Sequence, residues 1–295
     1  MAGYSSPIKH RIVVVPHFKR LHELIAYDKG YFAQEGLDVE FRENVMDETY
    51  NAPDFPRESG EALATENRAS MNAACNWGVC VSAGAKLGKL VNDVYLKTEH
   101  GIFVRPESKI TKPEDLAGVE VGVGELSGSH FSGIVALEKY LPRDKVKVKF
   151  AGGPATRLRK LMSGELEAAN LIPSAYYIAK QMGYREVISG TYKTLLWAGN
   201  VTSSAESKAY IRALDRAQEY LEKNPEECKK YWLRLLPEDL KKISDVQKFG
   251  LGEVLVHEPY DREEYNRTLK WMRSWNLTGR MQESSYDKII VQPST

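Results

Sequence analysis

At 295 residues, with 42% apolar and 27% charged side chains, the chain can build one large domain or two ordinary ones, and wholesale disorder is excluded. Forty-one Lys and Arg stand against 40 Asp and Glu, and a net charge of +1 argues against nucleic acid as the main partner. No apolar run approaches the roughly 20 residues needed to cross a bilayer, so no membrane segment is expected.

Arg11-Ile-Val-Val-Val-Pro16 is a short β-branched run, the pattern of a buried parallel strand. Leu21, Leu24, Ile25, Tyr27, Tyr31 and Phe32 then recur at helical spacing, Gly36 closes the helix, and Leu37-Asp-Val-Glu-Phe41 alternates as a second strand. Strand, helix and strand joined tightly predict a right-handed β-α-β unit. Residues 44–57 are acidic and without a period, a long loop suited to rim a site. Helical spacing resumes over 58–67, a short strand is expected over 70–74 and a helix over 76–87. Two strand pieces follow, at 91–96 and 101–104. The second half starts at Thr111, with a strand at 119–123, a small-residue loop Glu125-Leu-Ser-Gly-Ser-His130, a helix over 131–140 and a strand over 146–150. Ala151-Gly-Gly-Pro-Ala155 turns into another helix, and Ser163-Gly-Glu-Leu-Glu-Ala-Ala-Asn-Leu-Ile-Pro173 leads from a helix end into a buried strand. From Ser204 onward the pattern is almost wholly helical, broken at Pro225, Pro237 and Pro259. Strands alternating with helices predict an α/β fold with mostly parallel sheets.

Four stretches carry a resemblance: Lys29-Gly-Tyr-Phe-Ala-Gln-Glu-Gly-Leu-Asp-Val-Glu40, Lys112-Pro-Glu-Asp-Leu-Ala-Gly-Val-Glu-Val-Gly-Val123, Met162-Ser-Gly-Glu-Leu-Glu-Ala-Ala169, and 206–229 with its Asn224-Pro-Glu-Glu227. In this order they resemble type 2 periplasmic-binding-protein-like chains of the sulfonate, nitrate and thiamine-pyrimidine-synthase-like (NMT1/THI5-like) group. The resemblance spans nearly the whole chain and implies two lobes with a ligand cleft at the hinge. Lobe one is expected at 1–98 plus 200–295, and lobe two at 99–199.

Ligands in open α/β sheets lie beyond the carboxyl ends of strands, against helix N-termini whose unpaired N–H groups suit an anion. Those places here hold His17 and Phe18; Cys75, Asn76 and Trp77; Glu125, Ser127, Ser129 and His130; Thr156; and Ser174 and Tyr176. The serine and threonine hydroxyls would donate to an anion. Trp77, Tyr176, Tyr192 and Trp197 would be aromatic walls, against the plainer reading that such rings are simply half-buried. His17 and His130 are the candidate proton carriers, with Glu125 placed to orient His130; a loop histidine can equally bond only to backbone. Cys75, at a helix start, could be a nucleophile, although cysteine often packs as a small hydrophobe. His10, His100, His257 and Cys228 read as structural. No histidine or cysteine pair has metal-ligand spacing, so no metal and no cofactor are expected.

The resemblance implies one of two functions for a small, anionic organic ligand, with an aromatic acid among the candidates. The first is a cofactor-free lyase of decarboxylase or desulfinase type, with His17, Cys75 and His130 as catalytic groups. The alternative is the solute receptor of an ABC importer, whose partner would be the permease. Pyrimidine synthesis is disfavoured, because Asn76 and Cys80 fall near the places of the synthase's cofactor lysine and self-sacrificing histidine. Three cysteines make no disulfide framework, and residues 1–10 carry no apolar leader. Those two points lean toward the enzyme in the cytoplasm, or toward a periplasmic protein whose leader was trimmed.

Overall fold

A computed structural model describes residues 10–14, 20–41, 70–279 and 281–291. The expected loop over 44–57 and helix over 58–67 lie outside the described residues, as do His17 and Phe18.

The first β-α-β unit forms as its pattern predicts. Strand β1 (His10–Val14) pairs in parallel with β2 (Leu37–Phe41), and helices α1 (Leu21–Asp28) and α2 (Tyr31–Gln34) connect them. Ile12, Val14, Leu37 and Val39 are buried, so the alternating apolar residues of both strands reach one core. Strand β3 (Met71–Cys75) joins the other edge of β1 in parallel and runs straight into helix α3 (Asn76–Gly84). That helix stops three residues short of the expected end. Lys86 adopts φ +64° there, and the chain turns through Gly88.

The two pieces expected at 91–96 and 101–104 are one sixteen-residue strand, β4 (Lys89–Val104). Polar Thr98, Glu99 and His100 hide its continuity in the sequence. At the far wing β5 (Glu120–Val123) lies between β6 (Lys147–Phe150) and β7 (Ala168–Leu171), parallel to both. Helices α4 (Gly128–Leu137), α5 (Pro154–Ser163) and α6 (Ala175–Gln181) belong to this wing, and α5 ends at Gly164 in the left-handed region (φ +83°).

Strand β8 (Arg185–Ala198) has no counterpart in the sequence reading, because its alternation is irregular over a half-buried length. It is nevertheless the second long crossing element and pairs antiparallel with both β3 and β4. The other edge of β4 takes a short β9 (Val254–Val256) at 95–97 and β7 at 101–104. All strands therefore lie on one hydrogen-bonded path, β2-β1-β3-β8-β4-β7-β5-β6, with β9 beside β4. Parallel pairing holds in the two wings, and the strands that cross between them are antiparallel, so the sheet is mixed. Strand β9 also interrupts the tail that the sequence read as helical.

The long helix α7 (Ser204–Lys223) opens with a reciprocal cap, Ser203 accepting from the Glu206 N–H and Glu206 accepting from the Ser203 N–H. Its buried stripe, Ala209, Tyr210, Ala213, Leu214, Ala217 and Leu221, covers α1 and α2. Four short helices or turns follow before helix α8 (Arg262–Ser274), which Asp261 caps by accepting from the Glu264 N–H at 2.8 Å. None of the helices among the described residues is long and apolar enough to cross a membrane.

Candidate functional site

The carboxyl end of β5 sets up the most elaborate turn of the sheet. Gly124 leaves no room for a side chain unless its neighbours shift: a Cβ there would lie 2.9 Å from both the Arg157 guanidinium and the Ser127 hydroxyl. Leu126 takes φ +48° and leaves its side chain 52% exposed, an unfavourable backbone state for a leucine. Ser127 stands at the N-cap of α4, yet its hydroxyl donates back to the Gly124 carbonyl at 2.8 Å. Ser129 is fully buried and accepts the Gly124 N–H at 2.9 Å. Since the one proton of Ser127 is spent, Ser129 donates to the Ser127 oxygen at 2.8 Å. These bonds stitch the loop from inside. The Ser129 hydroxyl that the sequence offered to an anion is committed to shaping the turn.

His130 follows in the first turn of α4, which carries no acidic residue. Its Nδ1 accepts the Leu126 N–H at 3.2 Å, so the neutral ring carries its proton on Nε2. An accepting nitrogen is no partner for a carboxylate, and Glu125 therefore does not orient the ring through it. The imidazole stacks on Phe131 at 5.5 Å and meets the half-exposed Phe150 edge-on at 5.1 Å. Burial pulls its pKa down to about 4.

Behind the loop lies a polar floor. Asn170 on β7 donates to the Ser129 carbonyl at 2.6 Å and to Ser132 at 3.0 Å, and its oxygen faces His100 Nδ1 at 3.1 Å. Arg157, only 1% exposed, donates to the main-chain carbonyls of Asn170 and Gly152. The backbone thus holds a guanidinium beside the start of α4. Tyr192 closes the other side: a Cβ on Gly128 would sit 2.6 Å from its hydroxyl. Trp77 completes the wall, 5.5 Å from Phe131 and 6.0 Å from Tyr192.

A second buried polar group adjoins this one across the sheet. Arg20, the residue before α1, pairs with Glu253, and Thr98 donates to Glu253 at 2.6 Å while lying 2.7 Å from Thr194. Glu23 accepts from Tyr210 at 3.1 Å, and His22 bonds Gln218 at 2.6 Å.

The structure brings Cys75, Trp77, Ser127, Ser129, His130 and Tyr192 into one region, with Glu125 on the same loop and Thr156 next to Arg157. The chemistry of two of them differs from the expectation. Burial pushes the Cys75 thiol up to about 12, opposite to what a nucleophile needs. His130, at about 4, is a weak base at neutral pH. Asn76 is buried at the start of α3, and its amide oxygen has no hydrogen-bond partner among the described residues. Tyr176 packs edge-on against Phe103 at 5.2 Å and against Tyr177, away from the ring wall. Trp197 lies in a core with Val79, Leu90 and Leu269. Neither therefore lines the region as expected: α6 lays Tyr176 on β4, and β8 turns Trp197 into the core beside α3 and α8. Ser174, three residues past the end of β7, stands at the N-cap of α6 at φ +71° without capping it through its side chain.

Sequence reasoning missed Arg157, Arg20, Glu253 and Asn170. One signal was available: Arg157 falls on the buried stripe of α5 with Leu158 and Leu161, an odd place for a charge. Among the described residues no three His, Cys, Asp or Glu gather as metal ligands. A groove of about 390 Å³, lined by Gly118, Glu120, Lys149, Glu165 and Glu167, lies at the opposite ends of β5 and β7 and does not touch this region.

No curated protein sequence matches the chain. Solved structures do. The alkanesulfonate-binding protein SsuA from Xanthomonas axonopodis pv. citri, bound to MOPS, is 12% identical with a TM-score of 0.69, covering 95% of this chain and 96% of that one. The periplasmic aliphatic sulphonate binding protein SsuA from Escherichia coli is 14% identical at 0.69, covering 97% and 93%. The desulfurization enzyme DSZB is 15% identical at 0.57, covering 95% and 96%. At these identities the likeness is one of fold: two-lobed α/β, of the periplasmic-binding-protein type. The sequence profile of the NMT1/THI5-like family matches residues 19–228, and the chain belongs to that family.

Proposed function

We propose that this protein is a solute receptor of the ABC-importer type that holds a small organic anion, of sulfonate character, at the first turn of α4. The observation that carries this reading is the placement of the Arg157 guanidinium, fixed by main-chain carbonyls, beside a ten-residue helix start whose first turn has no acid. A helix N-terminus and a pre-oriented guanidinium both favour a tetrahedral or planar anion. Trp77, Phe131 and Tyr192 would cover the organic part. The sulfonate-binding proteins among the structural neighbours support the ligand class.

The two wings would be the lobes, 1–98 plus 200–295 and 99–199, with β4 and β8 as the crossing strands. A periplasmic site of action goes with the receptor reading. The lyase reading has less support, because the raised Cys75 thiol and lowered His130 imidazole suit binding better than proton transfer.

Calorimetric titration with ethanesulfonate, taurine, nitrate and benzoate tests this, with mass analysis of each mixture. Saturable binding of a sulfonate, unchanged after incubation, is the expected result. At a hundredfold excess over Kd it adds about 2.7 kcal/mol of stability. Conversion of a ligand to product would favour the enzyme, and absence of binding by every anion would end the proposal.

A further inference from the structure

Helix α8 reaches two cores that strands β4 and β8 also run between. Its first turns give Tyr265 and Leu269 to the cluster around Val79, Cys80, Leu90 and Trp197. Its last turn and the residues after it lay Trp271, Trp275 and Leu277 against the cluster of Ile102, Leu116, Val121 and Ile134 in the other wing. Trp271 is a further ring beside Trp77, Phe131 and Tyr192 at the candidate site, 5.9 Å from Trp77 and 6.5 Å from Phe131.

One side chain holds the end of this helix in place. Glu138, the residue after Leu137 at the C-terminus of α4, accepts the Trp271 indole N–H at 2.6 Å on one oxygen. Its other oxygen accepts the Trp275 indole N–H at 2.7 Å. Arg143 adds a cationic face over the Trp275 ring at 4.1 Å and donates to the Ser274 carbonyl. A carboxylate at a helix C-terminus opposes the helix dipole, so local preference does not account for an acid at this position. Two charge-assisted bonds to tryptophans on a helix whose first turns pack in the other core do account for it.

We propose that Glu138 is a latch, and that the last turn of α8 is a strap from one wing to the other which opens only when both indole bonds break. Glu138 sits on the helix whose first turn forms the candidate site, so latch and site move on one rigid element. It is a positioning residue: it sets Trp271 against the ring wall. The inference stands on the two cores and the indole bonds, and holds whatever the ligand is.

Hydrogen exchange of the full chain, without ligand, tests it in Glu138→Ala, Glu138→Gln and Trp275→Phe, with acrylamide quenching of tryptophan alongside. The Glu138→Ala variant should exchange about tenfold faster or more over 262–279 and 128–137, the equivalent of at least one charge-assisted hydrogen bond. Tryptophan quenching should rise, and exchange in α7 should stay as in the parent. Glu138→Gln keeps one acceptor oxygen and should fall between. Adding Trp275→Phe to Glu138→Ala should change less than Trp275→Phe does in the parent, since the shared bond is already gone and only ring packing and the Arg143 contact remain to be lost. Changes under twofold over 262–279, an equal rise in α7, or independent addition of the two substitutions would overturn the latch.

Discussion

Acidification should weaken this fold through buried imidazoles, and the share of His130 can be isolated. Burial lowers its pKa from the usual 6.5 to about 4, and its Nδ1 is already an acceptor for the Leu126 N–H. The folded state therefore binds fewer protons than the unfolded state between these two values. Its stabilising contribution is complete above pH 6.5, is lost as pH falls toward 4, and is gone below that. Between pH 7 and pH 5 the loss comes to about 2 kcal/mol from this one ring. His100, also lowered to about 4 by burial, adds a similar term. The perturbation that separates them is His130→Asn, whose amide oxygen can still accept from Leu126 but does not titrate. Urea unfolding of both proteins at matched pH gives the difference, in which His100 and all the carboxylates cancel. The parent's stability relative to the variant should drop by about 2 kcal/mol from pH 7 to pH 5. A difference that stays flat over that range, or an NMR titration of the ring near 6.5, would refute both the burial argument and the tautomer.

The local units were legible because their patterns were local. The β1-α1-β2 unit, the strand at β5 and the helix at α4 follow from periodicity and from glycines at the turns. The crossing strands were not legible, because β4 hides polar Thr98 and His100 inside the sheet and β8 mixes exposed with buried positions. Pairing between residues about a hundred positions apart makes those two strands cohere, and no window of sequence contains it. The candidate site was half legible for the same reason. Strand-end logic found the 125–130 loop, Cys75 and Trp77, since topology alone places them. It could not say that Ser127 and Ser129 would bond to their own loop, nor that Trp197 would face away. Arg157 escaped because a buried guanidinium satisfied by main-chain carbonyls leaves no partner acid in the sequence.

Ser129→Ala strands the buried Gly124 N–H and should destabilise by about 1–3 kcal/mol, read as a fall of a few degrees in Tm; an unchanged Tm would mean the loop is not stitched as described. Cys75 in the folded protein should resist iodoacetamide at pH 8, with its thiol pushed up to about 12, and fast labelling there would contradict its burial. Leu126→Gly should stabilise by about 1 kcal/mol by relieving φ +48°, unless the exposed leucine makes contacts with ligand, which titration of the variant would reveal. Gly128→Ala tests how tightly the first turn of α4 meets its wall. The new methyl would lie 2.6 Å from the Tyr192 hydroxyl and 2.8 Å from its ring carbon, closer than real contacts allow. Tyr192 has little room to retreat, since Trp77 stands at 6.0 Å and His100 at 5.9 Å. Overpacking of this kind costs about 1–3 kcal/mol, although alanine is the better helix former. The variant should lose stability, alter the near-ultraviolet circular dichroism of the ring wall and bind ethanesulfonate more weakly. Combining it with Tyr192→Phe removes the nearest atom and should restore part of both losses. A Gly128→Ala protein as stable and as binding-competent as the parent would show that Tyr192 does not press on this helix start, and the ring wall would lose its place in the site.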